Sequence, residues 1–558
     1  MYIPLKLKSH YSLLESSIRP DRLVKKLKTL GFSACALTDT RNISGAVDFS
    51  QTLKKAKIKP ILGSEILLSD AKHYITCIAK NKNGWNNLIK LISRSNDPDR
   101  LEDDKPALRL SDFADVKDMI CLLDYSLQLD EIKEIFGKDN VFLTRNSDLA
   151  QNTKVVATPN PYYLDKTDSY DHKVLMCSYF KTTYNKLSDV VGKSNNMQMK
   201  DFLLSDDYYL PNPDEFKLRF TDEQIENTHL VNSMCEDYSI TGKPRTPTFD
   251  CPNGLSEIDY LKALARQGYT NKKKDDWDAK VYGDRAKLEL DTIERVGLAG
   301  YFLIVQDYVN WAKSNRCLVG PARGSSAGSL TAYLTGITTV DPIPYDLLWE
   351  RFYNEGRNSA DKVSFPDIDI DFPIKDREKV IEYIKNKYGK DRVGHITTFG
   401  RMQGRGALKE VLRVHNVCDV DTMNKITKGL PQEHEIADKL EEEQEESIIR
   451  WTLENEPQEI SDYCKLEDGV MVGDFAQYFE QAARLEGVFR SQGKHAAGII
   501  ISAEPLHTMC PMIADKSSNE KMIGYEMDSA EATGGLKFDM LGVAGLDKLS
   551  YANELLKG

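Results

Sequence analysis

The sequence predicts an α/β protein of several domains. At 558 residues the chain is longer than a single hydrophobic core usually supports. Up to about residue 240, short apolar runs alternate with amphipathic segments, the order that builds α/β architecture. A helical and acidic stretch follows later, and strand-like sequence returns near the end. These observations together favour a multidomain α/β fold.

The first part of the chain shows strand and helix patterns in alternation. Apolar runs at 33–39, 59–68 and 73–80 predict buried strands. Amphipathic runs at 20–32 and 83–95 predict helices between or after those strands.

The later parts have a different character. Prolines and glycines at 241–254 indicate a linker, and a long helical stretch leads from it to the small-residue segment VGPARGSSAGS at 319–329. Residues from about 417 to 490 are helical and strongly acidic, and they contain no obvious strand. Strand-like sequence returns at 496–502 and 534–542.

Composition bounds the function. The net charge of −12 means that any contact with nucleic acid needs local basic patches, or cations held by acidic side chains. The ten cysteines form no C-x-x-C pair, which argues against a disulfide framework and a cysteine zinc site. The sequence has no apolar run of membrane-spanning length and no signal-peptide pattern at its start. We therefore expect a cytoplasmic protein that contacts no membrane.

The segment SFPDIDIDFP, at 364–373, alternates Asp367, Asp369 and Asp371 with apolar residues. This period of two predicts a strand with three carboxylates on one face. Like charges on one face repel, but divalent cations among them would make the arrangement stable. From the triplet alone, an exposed edge strand with solvated acids is an equally good interpretation.

Several cationic and small-residue motifs surround this segment in the sequence. Backbone N–H groups and serine hydroxyls of the Gly-Ser segment predict an anion site, with a flexible turn as the alternative. Basic residues at i+4 spacing predict one stripe on a helix, although a solvated face would look the same. The stripe consists of Arg401, Arg405, Lys409 and Arg413.

Two further motifs complete the set. RSQGKHAAG contributes Arg490, Lys494 and His495, and the strand-like LKFDMLG places Lys537 and Asp539 on one face. Acidic strands, an anion loop and several cations are the groups that two-metal phosphoryl or nucleotidyl transfer requires.

At these motifs the chain resembles the C-family of bacterial replicative DNA polymerases, which includes the alpha subunits of DNA polymerase III. The matching segments include GPARGSSAGSLTAY, DPIPYDLLWERFYN, PDIDIDF, ITTFGRMQ, LEGVFRSQGKHAAG and LKFDMLG, in the family's order. N-terminal segments such as HYSLLESS, KPILGSEI and AKNKNGWNNLIKL match the family's leading domain.

The resemblance implies a fold and a domain order. It implies a PHP-type (polymerase and histidinol phosphatase) α/β barrel, followed by a palm of the DNA polymerase beta nucleotidyltransferase type with an inserted helical thumb. The expected boundaries are 1–240 for the PHP-like domain, 241–416 and 491–558 for the palm, and 417–490 for the thumb.

The resemblance also implies an activity: template-directed DNA synthesis, in which a primer 3′-hydroxyl attacks a deoxynucleoside triphosphate with the help of two Mg²⁺ ions. It makes Asp367, Asp369 and Asp539 the metal ligands and leaves Asp371 as a supporting acid. The residues expected to bind nucleotide or phosphate are Arg323, Gly324, Ser325, Ser326, Ser329, Arg405, Lys409, Arg490, Lys494 and Lys537. Arg405 stands where many relatives have lysine.

The leading domain departs from the pattern of active PHP enzymes. Lys6 and Lys8 occupy the two histidine positions of the H-x-H strand, and Thr40 stands where a ligand histidine is expected. Asn160 and Tyr162 stand at the two positions of a later D-x-H-like motif, whereas Glu65, and with it Glu15 and His73, remain. A protonated lysine does not bind metal, but two lysines could replace its charge. We therefore expect a scaffold without phosphoesterase or proofreading activity.

Family members continue past the KFDMLG motif into fingers and further C-terminal regions. The chain is therefore expected to be a piece of a longer polymerase, or a natural split or minimal version of one. A rival interpretation is a catalytically incomplete subunit that binds primer-template and needs a complementary chain. Expected partners are primer-template DNA, deoxynucleoside triphosphates, such a complementary chain, the sliding clamp and other replisome subunits. A second rival, a phosphoesterase acting through the leading domain, is disfavoured by its missing histidines.

Overall fold

The computed structural model describes residues 1–124, 128–146, 152–357, 365–515, 518 and 520–557. The chain divides into two compact units, and each is built from two separate stretches of sequence. The first unit is Met1–Ser239 with Phe399–Gly493, and the second is Ile240–Thr398 with Lys494–Gly558.

The strands and helices follow one another in chain order. The described strands are Ala34–Leu37 (β1), Lys59–Leu68 (β2), His73–Ala79 (β3), Leu101–Glu102 (β4), Lys105–Pro106 (β5), Met119–Leu123 (β6), Val141–Leu143 (β7), Asp369–Phe372 (β8), Val393–Arg401 (β9), Lys465–Glu467 (β10), Val470–Val472 (β11), Phe489–Ile501 (β12), Met512–Ala514 (β13), Lys521–Ile523 (β14) and Leu536–Gly542 (β15).

The described α-helices are Pro20–Leu30 (α1), Ala46–Lys55 (α2), Lys82–Ser95 (α3), Leu129–Phe136 (α4), Ser169–Tyr179 (α5), Leu187–Lys193 (α6), Met197–Leu204 (α7), Pro213–Lys217 (α8), Asp222–Met234 (α9), Glu257–Lys272 (α10), Ala279–Val296 (α11), Ala299–Ser314 (α12), Leu330–Thr335 (α13), Trp349–Phe352 (α14), Ile374–Tyr388 (α15), Gly404–His415 (α16), Val420–Lys428 (α17), Glu433–Glu443 (α18), Ile448–Asn455 (α19), Ala476–Leu485 (α20), Met527–Ala532 (α21) and Ala544–Lys557 (α22). In this part of the chain, no helix is both long and apolar enough to cross a bilayer.

The strands and helices predicted for the first part of the chain are confirmed to within a few residues as α1, β1, β2, β3 and α3. Helix α1 has clear local causes. Proline at its first position has the φ that a helix needs, and Gly31, with φ +77°, ends it in a left-handed conformation. Asn81 begins α3 by accepting a hydrogen bond from the Gly84 amide.

The closed PHP-type barrel implied by the resemblance is not confirmed, since the described residues form a five-stranded sheet in the order β1-β2-β3-β6-β7. Beyond β1, the N-terminal segment makes separate backbone hydrogen bonds, from the Ala36 amide to Pro4 and from the Thr38 amide to Leu7. Pro4 lacks the N–H donor that a continuous ladder needs. The N-terminal segment therefore lies beside β1 without forming a strand of its own.

The absence of strands predicted for 417–490 is wrong. Strands β10 and β11 form an antiparallel hairpin, joined by Asp468 and Gly469, whose φ angles are +49° and +77°. An Asp-Gly pair with positive φ at both residues is a strong hairpin signal. The dipeptide was visible in the sequence, but the acidic helical composition around it obscured the signal.

The predicted basic stripe is also wrong at its first member. Arg401 is the last residue of β9, and α16 begins only at Gly404. The ITTF run before Arg401 is rich in β-branched and aromatic residues, which favours a strand. Arg405, Lys409 and Arg413 do share the helix.

The second unit is organised around a six-stranded mixed sheet in the order β13-β14-β9-β12-β15-β8. Strands β12 and β15 are antiparallel, whereas β15 and β8 are parallel. Both strands predicted near the end of the chain are thereby confirmed, although β12 begins earlier than expected. Helix α12 packs against the apolar side of the sheet, where Tyr301 and Tyr308 belong to one buried core with Ile370, Phe538 and Met540.

Helices α10 and α13 of the second unit pack closely at Gly268. An alanine Cβ at Gly268 of α10 would lie 1.8 Å from the Leu334 carbonyl oxygen of α13. We expect Gly268→Ala to lower the free energy of unfolding by about 1–3 kcal/mol, because overpacking displaces the helices. Urea denaturation followed by circular dichroism measures this change.

Gly283→Ala on α11 is the matched control, since a Cβ there meets no atom within 4 Å among the described residues. It should be neutral or stabilising, because alanine is the better helix former. Equal stability of the two variants would contradict the predicted contact between α10 and α13.

Candidate active site

Two aspartates lie side by side on neighbouring strands of the second unit. Strands β8 and β15 pair in parallel with Asp369 directly opposite Asp539. Neighbouring strands are about 4.8 Å apart, so the two carboxylates leave the same face of the sheet at that spacing. The residues that follow them, Ile370 and Met540, point the other way into the core. The register therefore fixes a pair of like charges at one edge of the core.

Asp367 lies just before the strand rather than on it. The predicted strand at 364–373 is shorter in the structure, since β8 begins at Asp369, and Ser364 lies outside the described residues. The Ile368 amide donates to the hydroxyl oxygen of buried Tyr301 at 3.2 Å instead of joining a ladder. Asp367 is exposed. Tyr301, which sequence reasoning missed, therefore fixes the backbone that carries Asp367.

The three acids act on one another electrostatically. Burial raises the pKa of Asp369, and the negative charges of Asp539 and Asp367 raise it further. The raised pKa follows from partial burial and from the like charges that the strand register places together.

Two cations of the chain neutralise part of this charge. The ammonium of Lys537 lies 2.8 Å from Asp539 Oδ2, and the guanidinium of Arg323 lies 3.3 Å from Asp371 Oδ1. Burial lowers the pKa of Lys537, but the hydrogen bond to Asp539 and the negative charges of Asp539 and Asp367 together outweigh it, so the pKa is raised. Because Asp371 pairs with Arg323, its carboxylate does not belong to the acid pair of Asp369 and Asp539.

Two glycines lie beside the acid pair, and one of its oxygens has no partner among the described residues. Asp539 Oδ1 is buried and has no hydrogen-bond partner among the described residues. Gly498, opposite Asp539 on β12, contributes no side chain, and a Cβ there would lie 3.4 Å from that oxygen. A Cβ at Gly324 would lie 3.7 Å from Asp369 Oδ2.

An unpartnered carboxylate oxygen beside small residues fits a cation. With the side chains as they lie, however, no group of three or more His, Cys, Asp or Glu residues in the described ranges is arranged to hold a metal ion.

The Gly-Ser segment forms a short 3₁₀ turn over Gly324–Gly328. Arg323, Gly324 and Ser325 are exposed and remain candidates for phosphate contact. Ser326 and Ser329 are fully buried, so these two predicted phosphate donors have structural contacts instead. Their hydroxyls donate to the Arg323 carbonyl oxygen at 2.7 Å and to the Glu289 carboxylate at 3.0 Å. A run of serines could not reveal from sequence which hydroxyls face inward.

Lys494 and His495 are the other predicted cationic residues of the second unit. Lys494 is exposed and lies 3.8 Å from Asp515 Oδ2. The Nδ1 atom of His495 accepts hydrogen bonds from the Ala497 and Gly498 amides, which places the ring proton on Nε2. Burial lowers the pKa of His495, and Lys537 lowers it further while Asp539 opposes the shift.

The remaining predicted cations belong to the first unit. Arg405 donates to the carbonyl oxygens of Leu430 and Lys428, so it stabilises the end of α17. Lys409 donates to Asn424, and Arg413 pairs with Glu410 on its own helix. Arg490 is exposed. Of these four cations, Lys409 and Arg490 are therefore the exposed ones.

Comparison with known proteins decides the family. A model described as the bacterial DNA polymerase III alpha NTPase domain matches residues 259–542, half of the chain, and includes the Gly-Ser turn and the three aspartates. A PHP domain model matches residues 4–169. The chain belongs to the bacterial DNA polymerase III alpha family.

Curated relatives agree with this assignment. The chain is 32% identical to the DNA polymerase III subunit alpha of Aquifex aeolicus, over 100% of its own length and 52% of the relative's. The corresponding subunit of Pseudomonas aeruginosa is 31% identical over 100% and 48%, and that of Thermus aquaticus is 30% identical over 98% and 51%. The chain spans about half the length of the curated relatives it matches.

In this member of the DNA polymerase III alpha family, the PHP positions hold a buried ion-pair network. The Lys6 ammonium lies 3.3 Å from Glu65 Oε1 and 3.0 Å from Asp124 Oδ2, and the Lys8 ammonium also lies 3.3 Å from Glu65 Oε1. The exposed fraction of the two lysine side chains is 3% and 0%. Asp124, the residue directly after β6, was missed by the sequence analysis because nothing in the sequence links it to Lys6.

The two lysines differ electrostatically. Burial lowers the pKa of Lys6, but attraction to Asp124 and Glu65 outweighs it, so the pKa is raised. Lys8 has only the shared Glu65 carboxylate, and burial together with Lys6 lowers its pKa. Burial raises the pKa of Asp124, but the positive charge of Lys6 opposes this effect, and the pKa is lowered to about 2. Lys6, which contacts two carboxylates, is therefore stabilised more strongly in its charged form than Lys8, which contacts one.

The other predicted PHP residues lie around this network. Thr40 forms an isolated bridge with Glu65, and Tyr162 is fully buried with its hydroxyl bonded to Gln198. Glu15 pairs with Arg41 at 3.5 Å. The atoms Thr40 Oγ1, Asn160 Oδ1, Glu15 Oε2 and His73 Nε2 are buried and have no hydrogen-bond partner among the described residues.

The network generates a stability prediction. Glu65→Gln leaves two buried ammonium groups without their shared carboxylate, so we expect it to lower the free energy of unfolding by about 3–5 kcal/mol. The double variant Lys8→Met with Glu65→Gln should recover part of the loss, because one buried charge is then absent. Chemical denaturation of the wild type, the single variants Glu65→Gln and Lys8→Met, and the double variant measures the coupling.

Glu446→Gln is the matched control in the same unit, because Glu446 makes exposed ion pairs with Lys25 and Arg19. Such pairs contribute about 0–1 kcal/mol. A cost for Glu65→Gln no larger than this would show that Glu65 does not compensate the buried lysines.

Proposed function

We propose that the chain carries the catalytic core of a template-directed DNA polymerase, which adds deoxynucleotides to a primer 3′-hydroxyl. The observation that carries this proposal is the register that opposes Asp369 and Asp539, beside the unpartnered oxygen of Asp539. Both aspartates lie inside the segment matched by the polymerase family model.

Two Mg²⁺ ions are the cofactor that suits these residues. Asp367, Asp369 and Asp539 would hold them, since magnesium prefers carboxylate oxygens and the acids lack a shared cation. When bound, such ions lower the pKa of an attacking hydroxyl and neutralise the charge on departing pyrophosphate. The unpartnered Asp539 Oδ1, with Gly498 and Gly324 beside the acids, supports this assignment.

The chain's own cations have a role in binding the nucleotide. The Arg323 side chain is 48% exposed and, within the described part of the chain, forms an ion pair with Asp371, so it can exchange that carboxylate for a phosphate oxygen. Lys537 can make the same exchange from Asp539. The exposed turn at Gly324 and Ser325 offers backbone N–H groups next to Asp369. These contacts would orient the triphosphate over the acid pair.

A second candidate function is a primer-template-binding subunit that needs a complementary chain for synthesis. The pairing of Lys537 with Asp539 and of Arg323 with Asp371 favours it, because the acids are already partly neutralised. The sliding clamp and other replisome subunits are proposed partners in either case.

Primer extension tests the proposal. With Mg²⁺ and deoxynucleoside triphosphates, the chain should extend a primer, and Asp369→Asn should reduce incorporation by at least about 100-fold, because the site loses a charged ligand at the reacting centre. The measurement is single-nucleotide addition on a labelled primer-template, with the chain alone and with a C-terminal portion from a curated relative.

Asp528→Asn, an exposed aspartate on α21, should leave incorporation unchanged. Equal extension by wild type and Asp369→Asn would refute the catalytic assignment. Tight primer-template binding without extension under both conditions would favour the binding subunit.

Thermal unfolding tests the cation site without an activity assay. Mg²⁺ at ten times its Kd should stabilise the wild type by about 1.4 kcal/mol. Asp369→Asn should lose this effect, and in EDTA it should be at least as stable as the wild type, because like-charge repulsion is removed.

The stabilisation by Mg²⁺ should weaken as the pH falls. The raised pKa of Asp369 means that a proton competes with the cation there from a higher pH than at an ordinary aspartate. Differential scanning fluorimetry over a pH series measures this. An identical Mg²⁺ response in both proteins would contradict a cation site at Asp369.

A further inference from the structure

Helix α11 is connected to the Gly-Ser turn through one buried ion pair. Glu289 is fully buried, and its carboxylate lies 2.8 Å from the Arg285 guanidinium one turn earlier on the helix. Neither residue belongs to a motif that the sequence singled out. A buried carboxylate must be satisfied by hydrogen bonds, so its partners show what it does.

Glu289 satisfies the donors at the start of α13, the helix that leaves the turn. Its two oxygens accept from the Leu330 amide at 2.9 Å, the Thr331 amide at 2.8 Å and the Ser329 hydroxyl at 3.0 Å. The Ser329 hydroxyl in turn accepts from the Ala332 amide at 3.1 Å. The first amides of α13 are therefore already paired with a carboxylate from the chain itself.

Arg285 holds the turn itself. Its guanidinium donates to the carbonyl oxygens of Gly328 at 2.7 Å and Leu347 at 3.0 Å. Gly328 ends the 3₁₀ turn, and a Cβ there would lie 2.8 Å from the Leu348 carbonyl oxygen. The turn is thus fixed at its end by a charge-assisted contact and by close packing.

The other end of α13 is fixed by cations. Lys272 donates to the Tyr333 carbonyl oxygen, and Lys313 donates to that of Gly336 at 2.5 Å. Burial, and then Lys313, lowers the pKa of Lys272 to about 8. All six residues of the helix are buried. A carboxylate at the N-terminus and ammonium groups at the C-terminus match the helix dipole at both ends.

This arrangement limits where a triphosphate can bind. Because Glu289 occupies the amides at the start of α13, phosphate oxygens have access only to the exposed part of the turn, at Arg323, Gly324 and Ser325. That part lies against Asp369, as the 3.7 Å approach of a Cβ at Gly324 to the carboxylate shows.

We propose that Glu289, held by Arg285, is a positioning residue that fixes the Gly324–Ser325 segment against Asp369 for binding the triphosphate of the incoming nucleotide. The proposal rests on the polymerase function proposed above. The pair touches neither the nucleotide nor the acids and acts only through the turn.

The test compares Glu289→Gln with the wild type for binding of dATP in the presence of Mg²⁺, by isothermal titration calorimetry, and for thermal stability. The glutamine keeps the shape but turns a donor toward backbone amides or the Ser329 hydroxyl. We expect the Kd for dATP to rise about 10- to 100-fold, the effect of losing charge-assisted hydrogen bonds. Primer-template affinity should remain unchanged.

Glu294→Gln is the matched control on the same helix, since Glu294 makes a surface pair with Lys262. Its Kd for dATP should equal that of the wild type. Glu65→Gln, destabilised in the first unit, shows whether lowered stability alone weakens dATP binding. If Glu289→Gln does not fold, Arg285→Lys is the second variant, with the same expected direction because both carbonyl contacts weaken.

The outcomes separate the two proposals. A Glu289→Gln protein with lowered stability but a Kd for dATP within twofold of wild type would show that Glu289 only caps α13, and would overturn the inference. If wild type and Asp369→Asn bind dATP and Mg²⁺ equally weakly, the proposed polymerase function fails, and the inference fails with it.

Discussion

The second unit depends on keeping two like charges side by side. Asp369 and Asp539 are opposed by the register of β8 and β15, and that register follows from burying Ile370 and Met540 on the other face. A slip of one residue would turn the acids into the core. Burial of the apolar face thus holds the two carboxylates together despite their repulsion. The ion pair between Lys537 and Asp539 reduces this repulsion, and the glycines beside the acids add no side chains there.

The two units neutralise their acids in different ways. In the first unit, Lys6 and Lys8 are buried against Glu65, so their charges cannot be exchanged for others without leaving a buried carboxylate. In the second unit, the Arg323 side chain is half exposed, whereas that of Lys537 is 13% exposed and pairs with Asp539. The first arrangement encloses both its cations and its shared carboxylate, whereas the second leaves Asp367 exposed.

Much of this was predictable from local sequence. The alternation of acids and apolar residues at 367–372 indicated the acid face, and the order of the motifs indicated the family. The hairpin at Asp468 and Gly469 could also have been found, since its signal is a dipeptide. Local patterns succeed where the cause is a period or a turn residue within a few positions.

The sequence by itself determined the alternation of acids with apolar residues at 367–372 and the helices and strands of the first part of the chain, because each depends on residue type and spacing alone. Through the family resemblance it also identified the lysines at the PHP histidine positions. Only the tertiary structure decided that Asp371 pairs with Arg323 and that Ser326 and Ser329 face inward. It also revealed that Glu289, far from the turn in sequence, occupies the first amides of α13. The physical reason is that burial and ion pairing depend on segments distant in the chain, and a local pattern contains no information about them.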